Sequence, residues 1–274
     1  MAEVNLLAND TSARRTEVQE EAGIVSLLRF ETLLFGGEDV TFVAPAWLGW
    51  WLAVRFFEIT KDWTVGDAEI ATACAQCARP VPDRGGRELP MRFSAGLVFC
   101  SAKTPIRAAK KLAEDLCHLA KDSGYGLEVE ALESVEPPFD GPESLRDRLY
   151  GPEWREKGTG SRLTIRREHV ARVCRELQSL WVGDAAFPAS QAYGALRKGQ
   201  DAGSLASMAA GKQVAASLEN YSNRAGARIA NGKFKTLPGE RLGLQLAFAL
   251  QQRDYVKGAG GWTDVAAGLP ERSS

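Results

Sequence analysis

The chain has 274 residues, 45% hydrophobic and 25% charged, with 34 Lys and Arg against 35 Asp and Glu and a formal net charge of −1. Such a composition belongs to an ordinary globular protein and excludes collagenous, disulfide-scaffold and wholly disordered classes. The lack of a basic surplus argues against broad, sequence-independent nucleic-acid binding, though it leaves room for a local basic groove.

Taken in chain order, Val18, Ala22, Val25 and Leu28 recur at helical spacing behind the capping candidates Asn9, Asp10, Thr11 and Ser12, which predicts a helix over Ser12–Leu28. The period then changes. Phe30, Thr32 and Leu34 alternate with Glu31, Leu33 and Phe35, Gly36-Gly37-Glu38-Asp39 interrupts, and Val40–Val43 resumes β character. Two strands joined by a Gly-Gly turn read as a hairpin, because glycine supplies the positive φ that tight turns need. After Pro45 a helix carries Trp47, Trp50, Trp51, Val54 and Phe57 on one face, read as core. Val40 to Val54 carries no charge, but Pro45 and Gly49 interrupt it and Arg55 ends it. A membrane-spanning helix needs roughly 20 apolar residues, so no membrane partner is expected.

Asp62 to Pro90 reads as a helix followed by an exposed loop, and Met91 to Cys100 as a strand. Thr104-Pro105 opens a helix burying Ile106, Ala109, Leu112, Ala113, Leu116 and Ala120, which Gly124 closes; Leu127–Leu132 is a further strand. With one strand placed in front, the series is the βαββαβ of a ferredoxin-like α+β fold plus a last strand. Val4–Leu7 is the candidate remnant of that first strand, so the domain is expected to be incomplete at its N-terminus. Pro137-Pro138, Gly141-Pro142 and Gly151-Pro152 then punctuate a stretch that holds Arg146, Arg148, Arg155 and Lys157. The boundary is drawn here, giving a domain over 1–135 and, over 136–274, a linker and a helical domain. Its helices are expected over His169–Leu180, Ser190–Lys198, Leu205–Tyr221 and Arg241–Gln252, with a mobile tail from Gly258.

The sharpest chemical feature is Gly36-Gly37-Glu38-Asp39 at the hairpin tip. The glycines admit close approach of a triphosphate, and adjacent carboxylates suit Mg²⁺, which takes one or two of them together with substrate phosphates. The plainer alternative is a Gly-rich turn with solvated acids.

The stretch Arg29–Pro45 resembles the second palm domain of the polymerase-cyclase large subunit of type III CRISPR effector complexes, a relative of the GGDEF cyclases. The family's Gly-Gly-Asp-Asp stands here as Gly36-Gly37-Glu38-Asp39, and the resemblance continues through Met91–Lys121 in Ser94-Ala95-Gly96, Lys103-Thr104-Pro105 and Ala120-Lys121. It implies a cytoplasmic nucleotidyltransferase of antiviral defence that joins ATP into cyclic oligonucleotides with Mg²⁺ or Mn²⁺, with RNA-guided effector subunits and RNA as further partners. Carried over, Glu38 and Asp39 are the catalytic metal ligands. Gly36 and Gly37 line the nucleotide with Ser94, while Lys103 and Lys121 neutralise the triphosphate. The family's first palm strand carries another metal-binding aspartate, for which this chain has no clear equivalent: Asp10, the only candidate, falls at the expected helix cap, and two carboxylates alone leave the metal site incomplete. The alternative is a non-catalytic palm serving as a nucleotide-binding or assembly module.

Cys74 and Cys77 have a zinc-like spacing, but no second pair accompanies them, so reduced thiols are the alternative. Five scattered cysteines and no visible secretory signal point to a reducing cytoplasm. Arg162, Arg166, Arg167, Arg172 and Arg175 cluster about one helix, either as a solvated face or as a contact for RNA or a partner subunit.

Overall fold

The computed structural model describes residues 16–20, 23–27, 31–36, 39–65, 89–132, 141–151, 154–155, 160–182, 186–205, 207–225, 237–239 and 242–256. Val4–Leu7, Asp10, Gly37, Glu38, the Cys74–Cys77 pair, Pro137-Pro138 and the tail from Gly258 lie outside them. The architecture is mixed α+β.

The first element departs from expectation. Where a helix was predicted over Ser12–Leu28, Thr16–Glu20 (β1) and Gly23–Leu27 (β2) pair antiparallel, with Val18 opposite Val25. Thr16, Val18, Ile24 and Val25 are β-branched and lose rotamer freedom in a helix. Gly23 would cost a helix interior about 1 kcal/mol relative to alanine. Val18 and Val25, which helped to mimic a helical stripe, therefore stand in two short strands.

The expected hairpin forms. Glu31–Gly36 (β3) pairs antiparallel with Asp39–Val43 (β4), setting Gly36 opposite Asp39 and Phe35 opposite Val40, with an irregularity between Thr32 and Leu34. Its hydrogen bonds join it to no other described strand. Leu33, Val40, Phe42 and Val43 remain between 38% and 50% exposed, so consecutive residues of β4, which point to opposite faces, are both uncovered.

A 3-10 turn over Ala46–Leu48 leads into helix Gly49–Thr60 (α1). The tryptophan stripe divides. Trp50, Ala53 and Phe57 enter the main core, whereas Trp47 and Trp51 pack on Leu48 in a separate cluster with Ala44 and Leu52. In the described part of the stretch read as helix and loop, Thr64–Val65 (β5) pairs with Leu89–Pro90 (β6).

Ala95–Phe99 (β7), Ile106–Asp122 (α2) and Gly126–Ala131 (β8) form a parallel βαβ unit, and Ile165–Arg166 (β9) adds antiparallel to β8. The sheet order β7-β8-β9 leaves β7 at an edge among the described strands. α2 buries Ala109, Leu112, Leu116, Leu119 and Ala120. Ile106, expected inside, is 50% exposed. The cap position falls on Pro105 without a side-chain capping bond, so the helix begins one residue later than the Thr-Pro signal implies and its first turn stands clear of the sheet. At the other end Gly124 (φ +94°) and Tyr125 (φ +71°) turn left-handed, and the Tyr125 N–H donates to Ala120 O at 2.9 Å, which closes the helix.

The boundary drawn at 136 does not separate two cores. Gly141–Tyr150 (α3) is a helix, followed by Val170–Trp181 (α4), Ala189–Asp201 (α5), Met208–Ala225 (α6), Leu242–Gln251 (α7) and Arg253–Val256 (α8). One apolar cluster runs from Trp50 and Phe57 through Leu127 and Val129 to Leu177, Leu244 and Val256. Gly141-Pro142, read as part of a linker, instead opens α3. No described helix is long and apolar enough to cross a membrane.

Candidate functional site

Asp39 opens β4 at the hairpin tip and is exposed. Its neighbourhood is reported by Cys117, a half-buried thiol on α2 that donates to Ser94 O at 3.5 Å. Burial pushes the Cys117 thiol upward; the Lys121 ammonium draws it back and the Asp39 carboxylate raises it further. Asp39 and Lys121 therefore both lie within electrostatic reach of one sulfur. Ser94 adds a buried hydroxyl oxygen that has no hydrogen-bond partner among the described residues. Of the residues singled out in the sequence, Gly36 stands opposite Asp39 in the hairpin, Ser94 accepts from Cys117, and Asp39 and Lys121 both act on the Cys117 thiol through their charges. The available signal was the four-residue spacing from Cys117 to Lys121, which puts both on one helix face.

Lys103 is not part of that region. It is exposed ahead of α2, its N–H donating to Ser101 Oγ at 3.3 Å, whereas Lys121 is in the last turn. Seventeen helical residues separate the two ends, about 25 Å at the α-helical rise, so the two lysines cannot grip one triphosphate. Gly96 also acquires a packing role. A Cβ built there would lie 2.0 Å from Ala113 O and 2.9 Å from Cys117 N, so the glycine lets α2 lie directly on β7.

No group of three or more His, Cys, Asp or Glu able to hold a metal occurs among the described residues. Asp39 is the described carboxylate at the tip. A hard divalent ion bound there needs phosphate oxygens for much of its shell, the arrangement Mg²⁺ commonly takes.

A second cluster went unforeseen. β8 is buried at every position, as a strand covered on both faces should be, yet it carries Glu128 and Glu130, both 0% exposed. Arg146 of α3, also 0% exposed, meets Glu128 at 2.7 Å and Glu130 at 3.0 Å. It donates as well to Ser161 Oγ at 3.2 Å and Val129 O at 3.3 Å, with its guanidinium 5.3 Å from the Trp154 ring centroid. Thr164 donates to Glu128, and Gln251 donates to Glu130. Burial pushes the Glu130 carboxyl above its ordinary value, against the pull of Arg146. Burial alone would loosen the Arg146 proton, but the two carboxylates outweigh it and hold the guanidinium above its ordinary value. The signal was legible: glutamates two apart in an apolar strand share a face and require a buried cation.

Three of the five clustered arginines have ordinary partners. Arg172 pairs with Glu176 at 3.5 Å, Arg167 donates to Met91 O and Arg162 to Arg155 O. Cys174 is buried and its thiol is pushed up to about 12, chiefly by burial. Comparison of the chain with family models, curated proteins and solved structures returns no match.

Proposed function

We propose that the chain is a palm-type nucleotide module whose hairpin tip, with Glu38 and Asp39, holds ATP and Mg²⁺ for nucleotidyl transfer to cyclic oligonucleotides in CRISPR-type antiviral defence. The observation that carries this reading is the hairpin itself, which sets Gly36 opposite the exposed Asp39 carboxylate at its tip; the charges of Asp39 and Lys121 both act on the Cys117 thiol of α2. In the proposed reaction the 3′-hydroxyl oxygen of one nucleotide bonds to the α-phosphorus of another. The bond to the β-phosphate oxygen breaks, pyrophosphate leaves, and a carboxylate takes the hydroxyl proton. Magnesium would supply charge neutralisation on the phosphates.

A second reading, a palm-like assembly module without chemistry, is favoured by the exposed apolar residues on both faces of β4 in a hairpin that no other described strand joins, because large uncovered apolar patches mark interaction surfaces. Incubation of the full chain with ATP and Mg²⁺ or Mn²⁺, followed by mass spectrometry of the products, separates the two. The first reading expects pyrophosphate and cyclic oligoadenylates, abolished in Glu38→Ala/Asp39→Ala. ATP binding without turnover supports the second, and turnover unaffected by the double substitution overturns the assignment of the site.

A further inference from the structure

Away from the hairpin, α3, α5 and α7 border an open cleft of about 460 Å³, within the size range of small-molecule sites. Its wall is apolar where Leu149, Leu205 and Leu250 meet, the last two nearly inaccessible to solvent. Its rim comes from one face of α5. Tyr193 is 55% exposed, Arg197 stands one turn on, and Gln200 follows. Among the described lining residues Arg197 is the one charged side chain, and no described carboxylate pairs with it.

The far wall is held in place. Tyr150 donates from its hydroxyl to Gln251 Oε1 at 2.8 Å, and Gln251 donates onward to Glu130 and to Ala131 O. The cleft thus rests on the buried Arg146 network through hydrogen bonds that leave the Gln251 amide committed, and such a wall need not reorganise to receive a ligand.

We infer that this cleft binds a small aromatic anion, its ring in the apolar wall against Tyr193 and its carboxylate or phosphate on Arg197. The chemistry follows from the lining: an apolar floor and an exposed phenol ring favour a flat hydrophobic group. A guanidinium with no described acid partner favours a planar carboxylate or a phosphate beside that group. The site is remote in sequence from Glu38 and Asp39 and does not depend on the reading of the hairpin.

Two probes separate the possible sources, 2-naphthoate for an aromatic acid and AMP for a nucleotide, titrated calorimetrically on the full chain in EDTA so that no metal-dependent site contributes. One of them is expected to bind with one-to-one stoichiometry and submillimolar affinity, and Arg197→Gln to weaken it at least tenfold. The neutral counterparts, 2-naphthol and adenosine, should bind wild type and Arg197→Gln alike. Ala247→Trp, which fills the cleft, should abolish binding altogether. Failure of both probes to saturate at millimolar concentration, or undiminished binding by Arg197→Gln, overturns the inference. Arg197 lies on the exposed face of its helix, so its replacement leaves the fold intact.

Discussion

Arg146→Ala is expected to destabilise the fold by about 3–5 kcal/mol at pH 7, the usual cost of removing one partner from a buried ion pair, seen as a lower urea midpoint. Removal of the guanidinium leaves Glu128 and Glu130 side by side at 0% exposure with no cation, and strips hydrogen bonds from Ser161 and Val129. The defect has a pH signature. Burial already raises the folded Glu130 carboxyl above its ordinary value. A group raised on folding contributes stability that is complete below its unfolded value and is lost as pH rises through its folded value. Without Arg146 the folded value climbs further, so at pH 5 the protonated carboxyl relieves part of the cost. The destabilisation should be smaller at pH 5 than at pH 7, and equal losses at both would contradict a buried carboxylate pair. Replacing all three side chains together by Met, Leu and Leu should recover most of the loss, because well-packed apolar residues often match a buried ionic cluster.

Gly96→Val should be the next most damaging change, costing about 3 kcal/mol, at the upper end of ordinary overpacking penalties. Strand propensity alone predicts the opposite sign, since valine favours strands and glycine weakens them. Packing decides. The added Cβ would sit 2.0 Å from Ala113 O, a backbone atom that moves only if α2 lifts off β7. That movement also carries Cys117 and Lys121 away from Ser94, so the Cys117 thiol should react faster with Ellman's reagent in the variant. Wild-type stability together with wild-type thiol reactivity would show that helix and strand are not in close contact at this position.

Where periodicity and burial agree, the fold could be read from the residues. The β3–β4 hairpin, α2 with its Gly124 closure, β8 and the helices after Val170 all fall near their expected places. Thr16–Leu27 failed because Val18, Ala22 and Val25 satisfy a helical period by coincidence, while β-branching and Gly23 favour strands. One apolar cluster crosses the boundary drawn at 136, and the reason is a different one. Gly-Pro pairs mark turns, and nothing local distinguishes a turn that leaves a domain from one that leads a helix back onto the sheet. Arg146 was read as one basic residue of a linker, since only the tertiary fold brings it beneath β8. At the hairpin tip the residue types pointed to phosphate and metal, whereas the influence of Asp39 and Lys121 on the Cys117 thiol emerges only in the folded chain. The exclusion of Lys103 needed the length of α2.

On the proposed reading, the hairpin tip holds a nucleoside triphosphate together with a divalent ion. Titration of the full chain with Mn²⁺ and ATP, followed by the Mn²⁺ paramagnetic resonance signal, tests it most directly. The expected result is a saturable, ATP-dependent site whose affinity falls at least tenfold in Glu38→Ala/Asp39→Ala. Equal Mn²⁺–ATP binding by wild type and double variant, or none by either, would contradict it.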